Sequence, residues 1–499
     1  MKNPVLRSRV IGLALGAIAG SGLFAQAAEA AYTGPTLPCR GTSIDGVGTS
    51  SLNQVNRFAW GADRLSLVGW PAWTLGSTPI GNLIVQDRAE TGFGFAGNGT
   101  GSCGSFRSQG KTIGYAPTGS GGGRNSWVAN GTTPRDATAA FTATDEAPSM
   151  SEEANMEWFG LVGPTNLLTI PVAQSAIAVI VNLPDGCTLA SDSYRKATLA
   201  NIEKIMWGEK VTWGSLLGSS AALVGTPTPG GGTCRDKAIK RVVPRDSSGT
   251  THAFKQVLNV SVNNRWETEP WKQISPTNPT SVTDEVNFMA TANNTAWPNV
   301  PGVTAAYSHS NIKSIARADY GEADAAWKAI GTDSSISFAD LATARWAGFG
   351  YYGTSDDRFW LQVTAPSGGS SVVTNDPAKD PAEAPDVFGA NCSSQSTGRD
   401  YGSLPAEGAK GNWNAVTGAK ARFKSGEYPI CALTYVLAYD NYSVTPTPEP
   451  QARTVSDFVK YMTGTGQTLL AAADYQALPT VGPNPLRPIA VAGANAIDY

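Results

Sequence analysis

The sequence predicts an α/β protein of two lobes, each a mixed sheet flanked by helices. Three observations carry that expectation. The 499 residues exceed what one hydrophobic core covers, since cores stop growing at roughly 250–300 residues. Short continuous apolar runs with β-branched residues, at residues 175–183 (SAIAVIVNL) and 239–243, read as strands buried on both faces. Segments with helical spacing follow them, and strands alternating with helices argue for α/β layers.

The first 30 residues read as a processing signal. Lys2, Arg7 and Arg9 give a basic start, an apolar run covers 11–25, and small residues follow at Ala25, Ala27, Ala28 and Ala30. That is the secretory pattern, with cleavage after Ala27 or Ala30. The run is short and glycine-broken for a span needing about 20 apolar residues, so export to the periplasm or medium is expected, without membrane insertion. The six cysteines, Cys39, Cys103, Cys187, Cys234, Cys392 and Cys431, then read as three disulfides. Of the 15 pairings possible, the sequential one, closing a loop within one lobe each time, is expected. No CxxC occurs and only His252 and His309 could assist, so no metal or cofactor is expected.

Along the mature chain, residues 31–168 are assigned to lobe I, 169–367 to lobe II and 368–499 to a return segment of lobe I. Residues 199–208 (LANIEKIMWG) put Leu199, Ile202, Ile205 and Met206 on one helical face and end on glycine. Helical spacing resumes at 251–258. Residues 267–301 read as an irregular excursion, 348–353 (GFGYYG) as a short strand, and 367–411 as loop. Order returns with a strand within 428–439 (YPICALTYVLAY) and a helix over 455–472. Trp60, Trp207, Trp327 and Trp346 fall in apolar or helical contexts and are expected in the core.

Only 15% of residues are charged and the net charge is −3, which gives no electrostatic reason to expect nucleic acid or an anionic membrane as partner. An anion site in this chain must rest on local dipoles. Three segments have that design, each a glycine- and hydroxyl-rich run ahead of a helix: residues 46–51 (GVGTSS), 118–123 (TGSGGG) and 245–250 (RDSSGT). Helix N-termini present unpaired N–H donors and partial positive charge, glycine permits close approach, and hydroxyls add neutral donors. Each run alone is more often a cap or a turn; together they point to one small oxyanion. Asp145, in TATDEAP, adds specificity. A carboxylate repels a fully deprotonated anion but accepts a hydrogen bond from a protonated one.

In order and spacing these stretches resemble the phosphate-specific substrate-binding proteins of ABC importers, of the PstS type and its DING relatives. Residues 44–51 look like that family's opening strand and loop, 119–123 like its second loop, 144–148 like its Ser-Asp-x-Pro region, 245–251 like its Arg-x-Asp-x-Ser-Gly-Thr segment, and 428–435 like its late strand. The resemblance implies a type II periplasmic-binding-protein-like fold with two crossovers, closing over phosphate about a hinge. It implies phosphate ligation by Ser50, Ser51, Ser120, Asp145, Arg245, Ser248, Gly249 and Thr250, and a monomer with inorganic phosphate and an ABC permease as partners. Two departures stand out. Ser50-Ser51 replaces threonine and a bulky apolar residue. Pro244 takes the place of the arginine and Arg245 abuts Asp246, which leaves three alternatives: Arg245 reaching phosphate after a local backbone shift, Arg241 replacing it, or no arginine contacting the ligand.

No catalysis is expected. The competing readings are a secreted phosphatase or phosphate-ester-binding protein using Ser248 and His252, four residues apart, and a secreted adhesion or glycan-binding protein suggested by 14 tryptophans. A Ser–His dyad would need an orienting group and an oxyanion hole.

Overall fold

The computed structural model describes residues 44–49, 51, 113–116, 119–127, 139–157, 159–160, 163–164, 166–244, 248–261, 297, 315–317, 322–350, 357–364, 378–384, 387–392, 401–416 and 427–499. The proposed signal at 1–30 and most of the 267–301 excursion lie outside them. Among the described residues no helix is long and apolar enough to cross a membrane.

Ten strands form the main sheet system: β1 (Ile44–Gly48), β2 (Ile113–Ala116), β3 (Ala139–Thr144), β4 (Leu167–Asn182), β5 (Lys240–Val243), β6 (Ile315–Arg317), β7 (Ser335–Asp340), β8 (Arg358–Trp360), β9 (Cys431–Tyr439) and β10 (Tyr475–Gln476). Their order is β6-β5-β7-β4-β9-β3-β1-β2, with β8 and β10 also paired to β4. β1 runs parallel to β2 and β3, and β5 runs parallel to β6 and β7. β4 is antiparallel to both β9 and β7. Both sheet halves are therefore mixed, as expected.

β4 is the spine. Its first half, Leu167 to Ala176, pairs with β9, and its second half, Ile177 to Asn182, pairs with β7. All sixteen positions are buried. The apolar run at 175–183 marks only the second half. In the first half Pro171 and the polar Thr169, Gln174 and Ser175 interrupt the pattern. Pro171 sits opposite Tyr435 beside a register shift that passes over Val172 of β4, where a missing donor is tolerated. Gln174 donates to the Ala477 carbonyl at 2.7 Å and accepts from the Tyr401 hydroxyl at 2.5 Å, so its burial leaves the amide satisfied.

The helices are α1 (Ser120–Trp127), α2 (Met150–Met156), α3 (Leu199–Trp207), α4 (Gly249–Ser261), α5 (Glu322–Ile330), α6 (Leu341–Trp346), α7 (Glu449–Thr463) and α8 (Leu486–Asn495), with shorter turns between. α3 follows its predicted span. Thr198 caps its first turn and Gly208 ends it with φ 86°, a conformation that favours glycine. α7 starts six residues before the predicted helix and stops at Gly464; a 3-10 stretch, Thr465–Ala473, takes over.

Other expectations are corrected. Residues 348–350 form no strand: α6 ends in a turn with Gly348 at φ 89°, and the strand nearby is β8, whose Trp360 amide donates to the Gly350 carbonyl. The loop-like 367–411 stretch contains a two-stranded ribbon, Ala382–Ala384 with Val387–Ala390. Trp327 is 37% exposed instead of core, because α5 turns it outward. Trp207 packs partly buried against the core; Trp60 and the Trp346 side chain lie outside the described residues. The pairings Cys187–Cys234 and Cys392–Cys431 are present, and Cys39 and Cys103 lie outside.

Candidate functional site

The parallel strands β1 and β3 deliver their carboxyl ends side by side, the usual position for ligand sites in α/β sheets. Gly48, at φ 140°, lets the chain turn there; a Cβ on it would fall 2.0 Å from the Ala143 carbonyl oxygen. The next residue, Thr49, anchors through its amide to that same carbonyl at 3.0 Å. β3 ends one residue before Asp145.

Asp145 is 6% exposed and takes bonds on both oxygens. Oδ2 accepts from Thr49 Oγ1 at 2.5 Å and Ser51 Oγ at 2.9 Å, and Oδ1 accepts from Thr434 Oγ1 at 2.7 Å. Its backbone amide donates to Ser120 Oγ at 3.1 Å, at the start of α1. Burial raises the carboxyl pKa to about 6, against the pull of the three hydroxyls and with a further push from Asp340.

The start of α4 closes onto the same point. Gly249 lies so near that a Cβ would meet Ser120 Oγ at 2.5 Å and Asp145 Cβ at 2.8 Å. Ser248 accepts the Thr251 amide at 3.5 Å, so its hydroxyl proton faces outward from that bond. Thr250 is buried beside it. The structure thus brings Ser51, Ser120, Asp145 and Gly249 together, with Ser248 and Thr250 at the same helix end. Ser50 and Arg245 lie outside the described residues. Arg241 is buried elsewhere, its Nη1 donating to the Met206 carbonyl at the end of α3 at 3.0 Å.

Thr49 and Thr434 were not among the predicted ligands. Thr434 stood in the LTY triplet of the late strand, the one signal that could have raised it. Also unforeseen is the buried cluster behind Asp145. Arg124 Nη1 lies 2.7 Å from Glu146 Oε2. His252 Nδ1 is 3.4 Å from Glu146 Oε1, and Gln256 Nε2 is 2.6 Å from His252 Nε2. An amide donating to Nε2 puts the ring proton on Nδ1, toward Glu146. Burial, with Arg124 and Lys255 nearby, lowers the His252 pKa to about 3. Asp145, Glu146, His252 and Gln256 line a cavity together with Trp413 and Asn414.

Residues 105–465 match the family model described as a PBP superfamily domain. The chain belongs to that superfamily. Its fold is that of the two-lobed members. The periplasmic phosphate-binding protein PfluDING, solved with phosphate bound, superposes with TM-score 0.50 at 16% identity, covering 91% of this chain and 93% of that one. The ancestral soluble variant of the human phosphate-binding protein gives TM-score 0.50 at 16% identity, covering 92% and 99%. At such identity these likenesses are of fold. Alkaline phosphatase L of Pseudomonas aeruginosa is 32% identical over 161 residues, which is 31% of this chain; the match spans 37% of that relative's length.

Proposed function

We propose that the protein is an exported solute-binding protein that captures inorganic phosphate between its lobes for ABC-type uptake. The observation that carries this is the buried Asp145 carboxylate standing where three chain segments and the start of α4 meet. Such a site offers neutral donors from Ser120, Ser248 and the first amides of α4, and an acceptor for a ligand hydroxyl. Phosphate species carry that hydroxyl near neutral pH; sulfate does not, and would leave Asp145 facing an anion without a shared proton. Superfamily membership and the phosphate-binding proteins of like fold support the same ligand. The disulfides support export. In this reading lobe I comprises 31–168 and 368–499, lobe II 169–367, and Ser50 and Arg245 join the ligand shell of a monomer that hands phosphate to a permease.

Calorimetry of the mature protein stripped of bound ligand tests it. Phosphate and arsenate should bind at one site per chain and sulfate should not; equal affinity for sulfate, or no phosphate binding, would refute the proposal.

The match to alkaline phosphatase L favours a second reading, hydrolysis of phosphate esters. His252 Nε2 already accepts from the Gln256 amide at 2.6 Å, which occupies the ring's basic nitrogen, an arrangement unlike an activated Ser–His pair. Turnover of a chromogenic phosphate ester that vanishes in Ser248→Ala would establish the enzyme; its absence leaves capture as the function.

A further inference from the structure

We infer that Thr434 is a specificity-determining positioning residue: its hydroxyl, donated to Oδ1 of Asp145, completes a collar of three hydroxyls that leaves the carboxylate one acceptor position for a ligand. The inference rests on the phosphate-capture reading of this site and goes beyond it in naming what sets the selectivity of Asp145.

Register places the residue. In the antiparallel pairing of β9 with β3, Tyr435 stands opposite Thr144, so Thr434 falls beside Asp145, one step past the end of β3. Its side chain is fully buried, and its bond of 2.7 Å is the described contact to Oδ1. Oδ2 already receives two hydroxyls, from Thr49 and Ser51. A carboxylate offers about four lone-pair sites, so with three filled one remains, on Oδ1.

The same count decides what the collar can offer a ligand. A hydroxyl has one proton. Thr49, Ser51 and Thr434 spend theirs on Asp145, so toward a ligand these side chains can only accept. Donors to an oxyanion must come from Ser120, from Ser248 and from amides. The collar members and Ser120 come from β9, from the turn after β1 and from the start of α1, so the hydrogen bonds that orient the carboxylate do not involve α4.

Several ionisable groups face this carboxylate. Asp340, at the end of β7, is held by the Tyr475 hydroxyl and the Thr343 amide and acts on Asp145 at a distance. Tyr115 of β2 donates to the Thr49 carbonyl, Tyr435 of β9 adjoins, Glu146 faces Arg124 and His252, and α4 brings His252. Burial and Asp340 favour the protonated form of Asp145, and the hydroxyls favour the ionised one. Removing Thr434's donor tips the balance toward a protonated carboxyl, which donates instead of accepting and so admits sulfate.

The test compares Thr434→Val, which keeps shape and loses the donor, with Thr434→Ser, which keeps the donor and loses the methyl. In the ligand-free chain the Asp145 carboxyl is titrated by carbon-13 NMR, with Asp145→Asn for assignment, and affinities for inorganic phosphate and sulfate are then measured. In Thr434→Val the midpoint should rise by about one pH unit, a tenfold larger protonated fraction above it, and the phosphate-to-sulfate ratio should fall about tenfold. Thr434→Ser should match the wild type. An unchanged midpoint in Thr434→Val, or an equal shift in Thr434→Ser, overturns the inference and leaves Thr434 a packing residue. If Thr434→Val fails to fold, Thr434→Ala is read the same way. Failure of the wild type to bind phosphate would strike the capture reading alone, because the carboxyl titration still decides the collar.

Discussion

At the scale of single residues, the site depends on groups whose ordinary preferences are overridden. Gly249 is the clearest. It sits in the first turn of α4, where alanine would gain up to about 1 kcal/mol in helix propensity. The Cβ would, however, strike Ser120 Oγ at 2.5 Å and Asp145 Cβ at 2.8 Å, and overpacking of a close contact costs typically about 1–3 kcal/mol. The clash wins. Gly249→Ala should lower the thermal midpoint and weaken phosphate binding at least tenfold; a stabilised variant with unchanged affinity would show that α4 does not close on Asp145. Asp145 leaves a signature of its own. Its pKa rises from 3.8 to about 6 on folding, so between those values the native state holds more proton than the unfolded chain. This contribution to stability is therefore present below about pH 4 and is lost as pH rises through 6. Thermal midpoints of ligand-free Asp145→Asn against pH should lack that part of the decline; parallel curves for variant and wild type would contradict the assignment. Ser120 and Gly249 were legible in the sequence because glycine and hydroxyl runs before a helix have a local meaning, and Asp145 because a lone carboxylate beside such runs can read a ligand proton. Thr49 lay inside the first run but was not singled out, and Thr434 had no such local signal. Thr49 follows the end of β1 and Thr434 lies within β9, and the role of each comes from contacts across 96 and 289 residues of chain.

At the scale of elements, legibility followed the hydrophobic pattern. The second half of β4 is continuously apolar and was readable, as was α3 with its threonine cap and closing glycine. The first half of β4 hides behind Pro171 and Gln174, whose compatibility with a central strand depends on a bulge at Val172 of β4 itself and on Tyr401 and Ala477 from distant chain. The glycine-flanked aromatic run near 350 misled for the opposite reason: its residues have strand preference, but Gly348 spends its conformational freedom on ending α6. The disulfides act at this scale too. Cys187–Cys234 ties the short strand Cys187–Leu189 to the 3-10 turn Cys234–Asp236, closing a separation of 47 residues. Loops of that length carry about 2–4 kcal/mol of stabilisation. A Cys187→Ser, Cys234→Ser double variant should lose that amount in denaturant unfolding while keeping its phosphate affinity, because neither cysteine adjoins Asp145. A large loss of affinity in a folded double variant would mean that this bridge also shapes the cleft.

At the scale of the molecule, β4 joins the two sheet halves as one strand, pairing with β9 over its first ten residues and with β7 over its last six. The candidate site sits at the ends of β1 and β3 on one half and at the start of α4, the helix that follows β5 of the other. Net charge is −3, and the proposed site offers a ligand helix ends, hydroxyls and one carboxylate in place of a basic pocket. Selectivity in such a site depends on the protonation of Asp145 more than on bulk charge. The ratio of phosphate to sulfate affinity, measured by calorimetry from pH 5 to pH 8.5, tests this most directly. The account predicts strong preference for phosphate above about pH 6, where Asp145 is an ionised acceptor, and a preference that shrinks as pH falls through that value. A ratio near one at pH 8, or a ratio that does not change with pH, would contradict it.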